Sequence, residues 1–332
     1  MRAGTPRRWA AVALAVIGLA LVAMPVVFDV FSRAPKGAQM IDAFAPFMTS
    51  SRLDGYHADM SAIGAAVKDA PQVAERLFGT PAGSAQPRLA AAYPSFATFE
   101  QKWRGIYPDM TEMIDTIQHN LGNYDAVAAL PSFTLFPWFF VAPGVIILAL
   151  IALGLTCPAW WRRLSWALAA LGVALVLAPA VFQMFSRAPD GGRMMTAFKP
   201  IETRARVARI QGYFSDIAAG QGAVQLELIP ALRRAGLSAT EISASYPGLT
   251  RFDGDWIHIL NDMTPLIGAM SNNVVNYDAV AALPPFALFP WFFVLPGLLV
   301  AGLGLAAVPR RSRDTDGAAS TDIPHPITEG VT

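Results

Sequence analysis

Six pairs of side chains stand at matching places in the two halves of this chain, and they include its best candidates for recognition or chemistry. They are Arg33 and Arg187, Trp103 and Trp256, Asp109 and Asp262, Asn123 and Asn276, Tyr124 and Tyr277, and Asp125 and Asp278. A guanidinium offers a fork of donors that suits a carboxylate or a phosphate. Arg33 and Arg187, in the phrase FSRAP, could therefore hold one anionic lipid headgroup, pair with Asp125 and Asp278, or simply reach out to lipid phosphate. Trp and Tyr bring a large apolar body with one polar tip, as a lipid or protein contact demands. Asp is a favoured helix N-cap, so Asp125 and Asp278 are expected to start a short turn over AVAAL, and Asp109 and Asp262 to cap the turns after them. Of the six pairs, all but the Asp109 and Asp262 pair are the expected contacts to a lipid or a partner.

Little else in the chain points to catalysis. His57, His119, His258 and His325 are never three or four residues apart, so no helical metal pair exists. None of the first three recurs at the matching position. They read as ordinary polar residues. The run FDGD from Phe252 to Asp255 lacks the remaining ligands of a calcium loop. No serine sits in a Gly-x-Ser-x-Gly elbow, and no Gly-rich loop precedes a Lys-Ser or Lys-Thr pair. A single cysteine, Cys157, excludes an intramolecular disulfide and a cysteine-built metal site. The sequence thus implies no cofactor and no metal. A net charge of +1 gives no electrostatic basis for a nucleic-acid partner.

The elements that must carry these residues follow from composition. Of 332 residues, 54% are hydrophobic and 15% charged, against about a quarter charged in a soluble domain. Four stretches, 10–28, 133–156, 164–185 and 286–309, contain no charge. Each meets the requirement of about 20 residues for a bilayer-crossing helix. Arg2, Arg7 and Arg8 precede the first stretch, Arg162 and Arg163 link the second and third, and Arg310, Arg311 and Arg313 follow the fourth. The positive-inside rule then places both termini in the cytoplasm and the two long connections outside the inner membrane. Trp9, Trp160, Trp161 and Trp166 are expected to form the inner aromatic belt. The two FPWFF segments at 136–140 and 289–293 would form the outer one.

The chain also repeats itself. PVVFDVFSRAPKGAQM at 25–40 matches PAVFQMFSRAPDGGRM, which begins 154 positions later. NYDAVAALPSFTLFPWFFVAPG at 123–144 matches NYDAVAALPPFALFPWFFVLPG with a shift of 153. Each unit reads as span, long outer segment, span, so both copies enter the membrane in the same sense. The expected fold is an all-α integral membrane protein of two tandem parallel repeats, 1–156 and 157–309, followed by a disordered cytoplasmic tail at 310–332. The outer segments, 32–131 and 186–284, each carry two apolar stripes at helical spacing. In the first copy these are Leu53, Tyr56, Met60, Ile63 and Val67, then Phe99, Trp103, Ile106, Met110, Met113 and Ile117; in the second, Val207, Ile210, Phe214 and Ile217, then Phe252, Trp256, Ile259, Met263, Leu266 and Met270. A helical bundle in each unit is expected. Ser238 to Glu241 fits a capping box after Gly236, whereas GTPAGSAQP at 79–87 reads as a loop.

Six prolines (Pro25, Pro137, Pro143, Pro179, Pro290 and Pro296) fall in or near the outer halves of the spans, where freed carbonyls and kinks could open a lateral cleft for an acyl chain. The spans hold no Asp, Glu, Lys or Arg, which argues against an ion-coupled carrier. The function expected from sequence is a non-enzymatic protein of a bacterial cell envelope. Its paired outer modules would bind a membrane lipid or an envelope protein, as an accessory to transport or assembly. A homo-oligomer is compatible with this reading. A transporter component and a lipid-modifying enzyme are the alternatives.

Overall fold

Where charge is missing the chain forms long helices, and where apolar stripes recur it forms amphipathic ones. The computed structural model describes residues 5–308, and among them there is no strand. Arg2, Arg310, Arg311, Arg313, His325 and the tail at 310–332 lie outside the described residues. The first half runs α1 (Thr5–Val27), α2 (Val30–Phe44), α3 (Ser50–Phe78), α4 (Ala82–Ala92), α5 (Pro94–His119), α6 (Leu121–Ala128) and α7 (Trp138–Thr156). The second runs α8 (Trp161–Val181), α9 (Met184–Phe198), α10 (Arg204–Ala223), α11 (Ile229–Arg234), α12 (Ala239–Ser245), α13 (Pro247–Gly254), α14 (Trp256–Ala281) and α15 (Trp291–Ala306).

Four segments, Arg8–Val27, Phe133–Thr156, Trp161–Val181 and Phe286–Ala306, are long and apolar enough to cross a membrane. They pair as α1 with α7 and α8 with α15. Each pairing closes on two facing glycines. A Cβ on Gly144 would lie 2.7 Å from the Gly18 carbonyl oxygen, and one on Gly297 would lie 2.8 Å from that of Gly172. Small residues let helix backbones approach in an apolar medium, where dispersion contacts replace the hydrophobic drive. Each odd span ends in the same joint. Asp29 (φ 52°) and Gln183 (φ 54°) are the only non-glycine residues with positive φ among those described. Each interrupts the helix, separating α1 from α2 and α8 from α9.

Above the spans the halves cross. Helix α2 packs on α14 of the other half, and α9 packs on α6. Helix α13 lies on α3, and α10 lies on α5. Both stripes of both halves enter one hydrophobic core, from Leu53 and Tyr56 through Trp103 and Met110 to Ile259 and Met270. The expectation of a separate bundle in each unit is therefore corrected: the head is one body built from both halves. Periodicity tells which face of a helix is apolar, but not which helix covers it.

Two local readings differ from expectation, while the capping box and the Gly236 helix end agree with it. The run at 79–87 is mostly helical, because α4 starts at Ala82 and buries Ala85 and Leu89; only Gly79, with φ 63°, and the two residues after it turn the chain. Trp161 does not sit in an inner belt. It is 3% exposed and donates from Nε1 to the Ala307 carbonyl at 3.1 Å. Trp9, Trp160 and Trp166 are exposed, as a belt requires. The capping box forms: Ser238 Oγ accepts from the Glu241 amide, while Glu241 accepts from the Ser238 amide at 2.8 Å. Gly236 takes φ 91° at the preceding helix end, as expected.

Candidate functional site

The matched polar residues brace the crossing of the halves. Arg33 Nη1 donates to the Ala282 carbonyl at 2.7 Å, and Arg187 Nη1 to the Ala129 carbonyl at 2.8 Å. These carbonyls lie at the ends of α14 and α6, where backbone acceptors are unpaired and the helix dipole favours a cation. Neither arginine pairs with Asp125 or Asp278. Both aspartates are exposed and lie inside helices, so the expected N-caps are corrected as well; their backbone carbonyls instead accept the capping amides of Ala129 and Ala282. Tyr124 donates to the Ile41 carbonyl at 2.7 Å, and Tyr277 to that of Met195 at 2.5 Å. Burial pushes the Tyr124 hydroxyl up to about 12, so it stays a donor across the ordinary pH range. Asn123 and Asn276 each donate to an asparagine three residues earlier, Asn120 and Asn273.

Asp109 and Asp262 do not cap turns. Arg206 Nη1 donates to both carboxylate oxygens of Asp109 (2.8 and 2.6 Å), and Tyr213 donates to the same carboxylate at 2.8 Å. Burial alone would raise this carboxyl, but the Arg206 and Tyr213 hydrogen bonds outweigh it and hold it below its ordinary value. Asp262 pairs with Arg52 at 2.9 Å. Arg52 and Arg206 are themselves matched, each in the first turn after a threonine cap (Thr49, Thr203), so one ion pair is made twice across the halves. Trp103 is buried among Phe99 and Tyr107, while Trp256 is half-buried against Phe214 and Phe252. Arg33, Arg187, Tyr124, Tyr277, Asn123, Asn276, Asp109 and Asp262 spend polar atoms on contacts inside the protein, whereas the side chains of Asp125 and Asp278 are exposed.

Among the described histidines, His57 is half-buried and His119 and His258 are exposed, and each has a partner. His57 lies 3.2 Å from Asp115, His258 lies 3.6 Å from Asp262, and His119 Nδ1 contacts the Asp115 carbonyl at 2.7 Å. Among the described residues no three His, Cys, Asp or Glu side chains are grouped to hold a metal ion.

What the structure does open is a cleft where the two FPWFF phrases meet. Phe136 lies 4.8 Å from Phe289, and Phe140 stacks on Phe293 at 4.8 Å between ring centroids. Beside them is a small apolar cavity of about 40 Å³. Phe133, Phe136 and Phe139 line it from one phrase, Phe286, Phe289 and Phe293 from the other, and Phe182 and Met184 from the joint between α8 and α9. No lining residue is polar. Four of the prolines lie next to it: Pro137 and Pro290 cap α7 and α15, and Pro143 and Pro296 lie in their second turns. The cavity sits at the level of Trp138 and Trp291, which are exposed and edge-on to Phe31 and Phe185. Such a pocket can accept hydrocarbon and nothing that needs a hydrogen bond.

A second group was not legible as a site. Tyr56, Asp59 and Glu202 are buried, and each has a side-chain oxygen without a hydrogen-bond partner. Burial pushes Glu202 up to about 8. Burial also raises Asp59, to about 6, against the pull of His258 and with a push from Asp262 and Asp255. Looking for residues retained in both halves passes over all three, because each differs from its match. The signal that finds them is the mismatch itself: Met48 against Glu202, Ile210 against Tyr56, Tyr213 against Asp59. No known family model matches this chain, and no curated protein resembles it at a significant level.

Proposed function

We propose that this chain is a non-enzymatic membrane protein of the cell envelope that holds the hydrocarbon chain of a membrane lipid, as an accessory to envelope transport or assembly. The observation that carries the reading is the cavity between the FPWFF phrases, walled by phenylalanine and free of polar side chains. This reading takes the halves as tandem copies related by a two-fold axis along the membrane normal. It sets the spans in the inner membrane, both termini in the cytoplasm and the helical head outside.

A lipid tail gains little from leaving one hydrocarbon medium for another, so selection must come from shape and ring contacts. Aromatic walls held by stacked pairs give a cavity of fixed form, which favours one tail over the disordered chains around it. The polar bracing supports the same reading. By tying α2 to α14 and α9 to α6, Arg33 and Arg187 hold the two phrases in register.

Filling the cavity tests this. Ala178 lines it from α8 and is half-buried, so Ala178→Phe puts a ring into the space from the span side. Purified native protein is expected to keep a stoichiometric lipid through exchange into fresh detergent, read by mass spectrometry of extracted lipid. The variant is expected to lose it while melting at an unchanged temperature. Equal lipid retention by both proteins, or none by the native one, would contradict the reading.

A further inference from the structure

Each half leaves an open groove where the head meets the spans. The first is about 300 Å³, and Asp42 is the one charged residue that lines it. The second is about 1070 Å³, ample for a small-molecule site, for which about 300–1,000 Å³ is usual. At one end this second groove reaches residues 284–287, where the fourth span begins. From there it follows α9 past Arg193 and Thr196 to Lys199 at the end of that helix, with Tyr277 and Asp278 of α14 also lining it. Tyr277 donates to the Met195 carbonyl, which ties this turn of α14 to the middle of the row. Four side chains that can carry charge line the groove: Arg193, Lys199, Asp278 and Glu202. Arg193 gives one nitrogen to Asp190 at 2.6 Å and is otherwise 69% exposed. Lys199 and Asp278 are exposed, and neither side chain has a partner among the described residues. Glu202 is 4% exposed, and burial pushes it up to about 8, so at pH 7 it is mostly neutral. The matching groove lacks both cations: Gln39 and Ala45 stand at the places of Arg193 and Lys199, and Asp42 at that of Thr196.

We propose that the second groove seats the headgroup of a zwitterionic phospholipid that ends in a primary ammonium. The phosphate lies on Lys199 and Arg193, the ammonium on Asp278, and the tails run out past residues 284–287 into the leaflet that borders the head. The inference rests on the reading that this protein holds a membrane lipid, and it names the headgroup at a site other than the aromatic cavity. Phe286 is the one lining residue the two share. Charge balance selects the headgroup. Arg193 and Asp190 offset one another, which leaves one cation for the phosphate and one carboxylate for the ammonium. Hydrogen bonds between ionised partners are roughly twice as strong as neutral ones. An anionic headgroup would satisfy Lys199 but set a negative charge in a cleft with Asp278. A quaternary ammonium carries the charge but has no N–H to give the carboxylate, whereas a primary ammonium has three.

Native mass spectrometry of the full chain in detergent tests this, with dioleoyl phosphatidylethanolamine, phosphatidylcholine and phosphatidylglycerol titrated in turn, so that the tails are identical. The native protein is expected to bind the ethanolamine lipid about threefold more tightly than either of the others, the scale of one exposed ion pair. Asp278→Asn should bring the ethanolamine lipid to the level of the choline lipid. Lys199→Ala should weaken all three by about threefold, since each carries the phosphate. Both side chains are exposed, so both variants should melt like the native protein. Ala178→Phe, which fills the aromatic cavity, should keep the ethanolamine preference. Equal binding of the three lipids by the native protein, or an ethanolamine preference that survives Asp278→Asn, would overturn the proposal. Lipid retention that is lost in Ala178→Phe would still support the cavity in either case, so the two readings fail separately.

Discussion

Glu202→Met is expected to make the folded protein more stable, by on the order of 4 kcal/mol at pH 8 and by far less at pH 4. The reason is linkage. Burial lifts the folded-state carboxyl from 4.5 to about 8. Between those values the folded protein holds a proton that the unfolded chain has released. Each unit of difference is worth about 1.4 kcal/mol. The stability tied to the protonated group is complete below pH 4.5, falls as the pH rises toward 8, and then stays flat. Methionine removes the titration, and the matched Met48 shows that the fold accommodates it at the equivalent place. Asp59 adds a smaller decline between 3.8 and about 6, common to both proteins, so it cancels in their difference. Denaturation of native and variant protein at pH 5 and pH 8 checks the point. The native protein should lose stability relative to the variant over that interval. Curves that run parallel would show that Glu202 does not titrate as its burial requires.

The second large effect concerns helix contact within the spans. A Cβ on Gly172 would lie 2.3 Å from the Ala301 amide nitrogen and 2.6 Å from the Gly297 carbonyl oxygen. These are backbone atoms, so no rotamer change relieves the clash. Gly172→Leu must push α8 and α15 apart and is expected to cost roughly 3 kcal/mol or more, as severe overpacking does. The readout is a fall in melting temperature and in the monodisperse fraction after extraction. Gly302 is the internal control. It lies on α15, is exposed, and a Cβ there would meet nothing within 4 Å. Gly302→Leu should extract and melt like the native protein. If both variants behaved alike, the close approach of α8 and α15 would be wrong.

How much of this was readable beforehand depends on the range of the interaction. The four apolar helices came from local composition, and they agree with expectation to within a few residues: the third stretch ends at Val181, before the Gln183 joint. The stripes on α3, α5, α10 and α14 are buried along almost their whole lengths, because helical period is a local property. The crossing of the halves was not readable. Arg52 meets Asp262 across 210 positions and Arg206 meets Asp109 across 97, and nothing local selects those partners over nearer ones. Asp109 stood out as a charge in an apolar stretch, yet its partner is found only when two helices from different halves are brought together. The same holds for Arg33, whose acceptor is a helix end 249 positions away rather than a side chain. Six prolines at one depth lead to the expectation of a lateral cleft through kinks and freed carbonyls, and four of them lie at the starts of α7 and α15, beside the aromatic cavity. The rings that line it come from both phrases and from Phe182, which only the packing reveals. Glu202 has no counterpart in the other half, where Met48 stands, so internal repetition does not point to it.

The proposed function rests on the head lying on one face of the membrane and the link between spans two and three on the other. Cysteine labelling tests that most directly. Tyr107 and Leu226 are 42% and 74% exposed on the head, one in each half, and Cys157 is the exposed native thiol in the link. In a Cys157→Ser background, Tyr107→Cys and Leu226→Cys should each react with a membrane-impermeant maleimide in intact cells. Native Cys157 should react only after the membrane is permeabilised. Labelling of one head cysteine but not the other in intact cells, or of Cys157 together with both, would contradict the account.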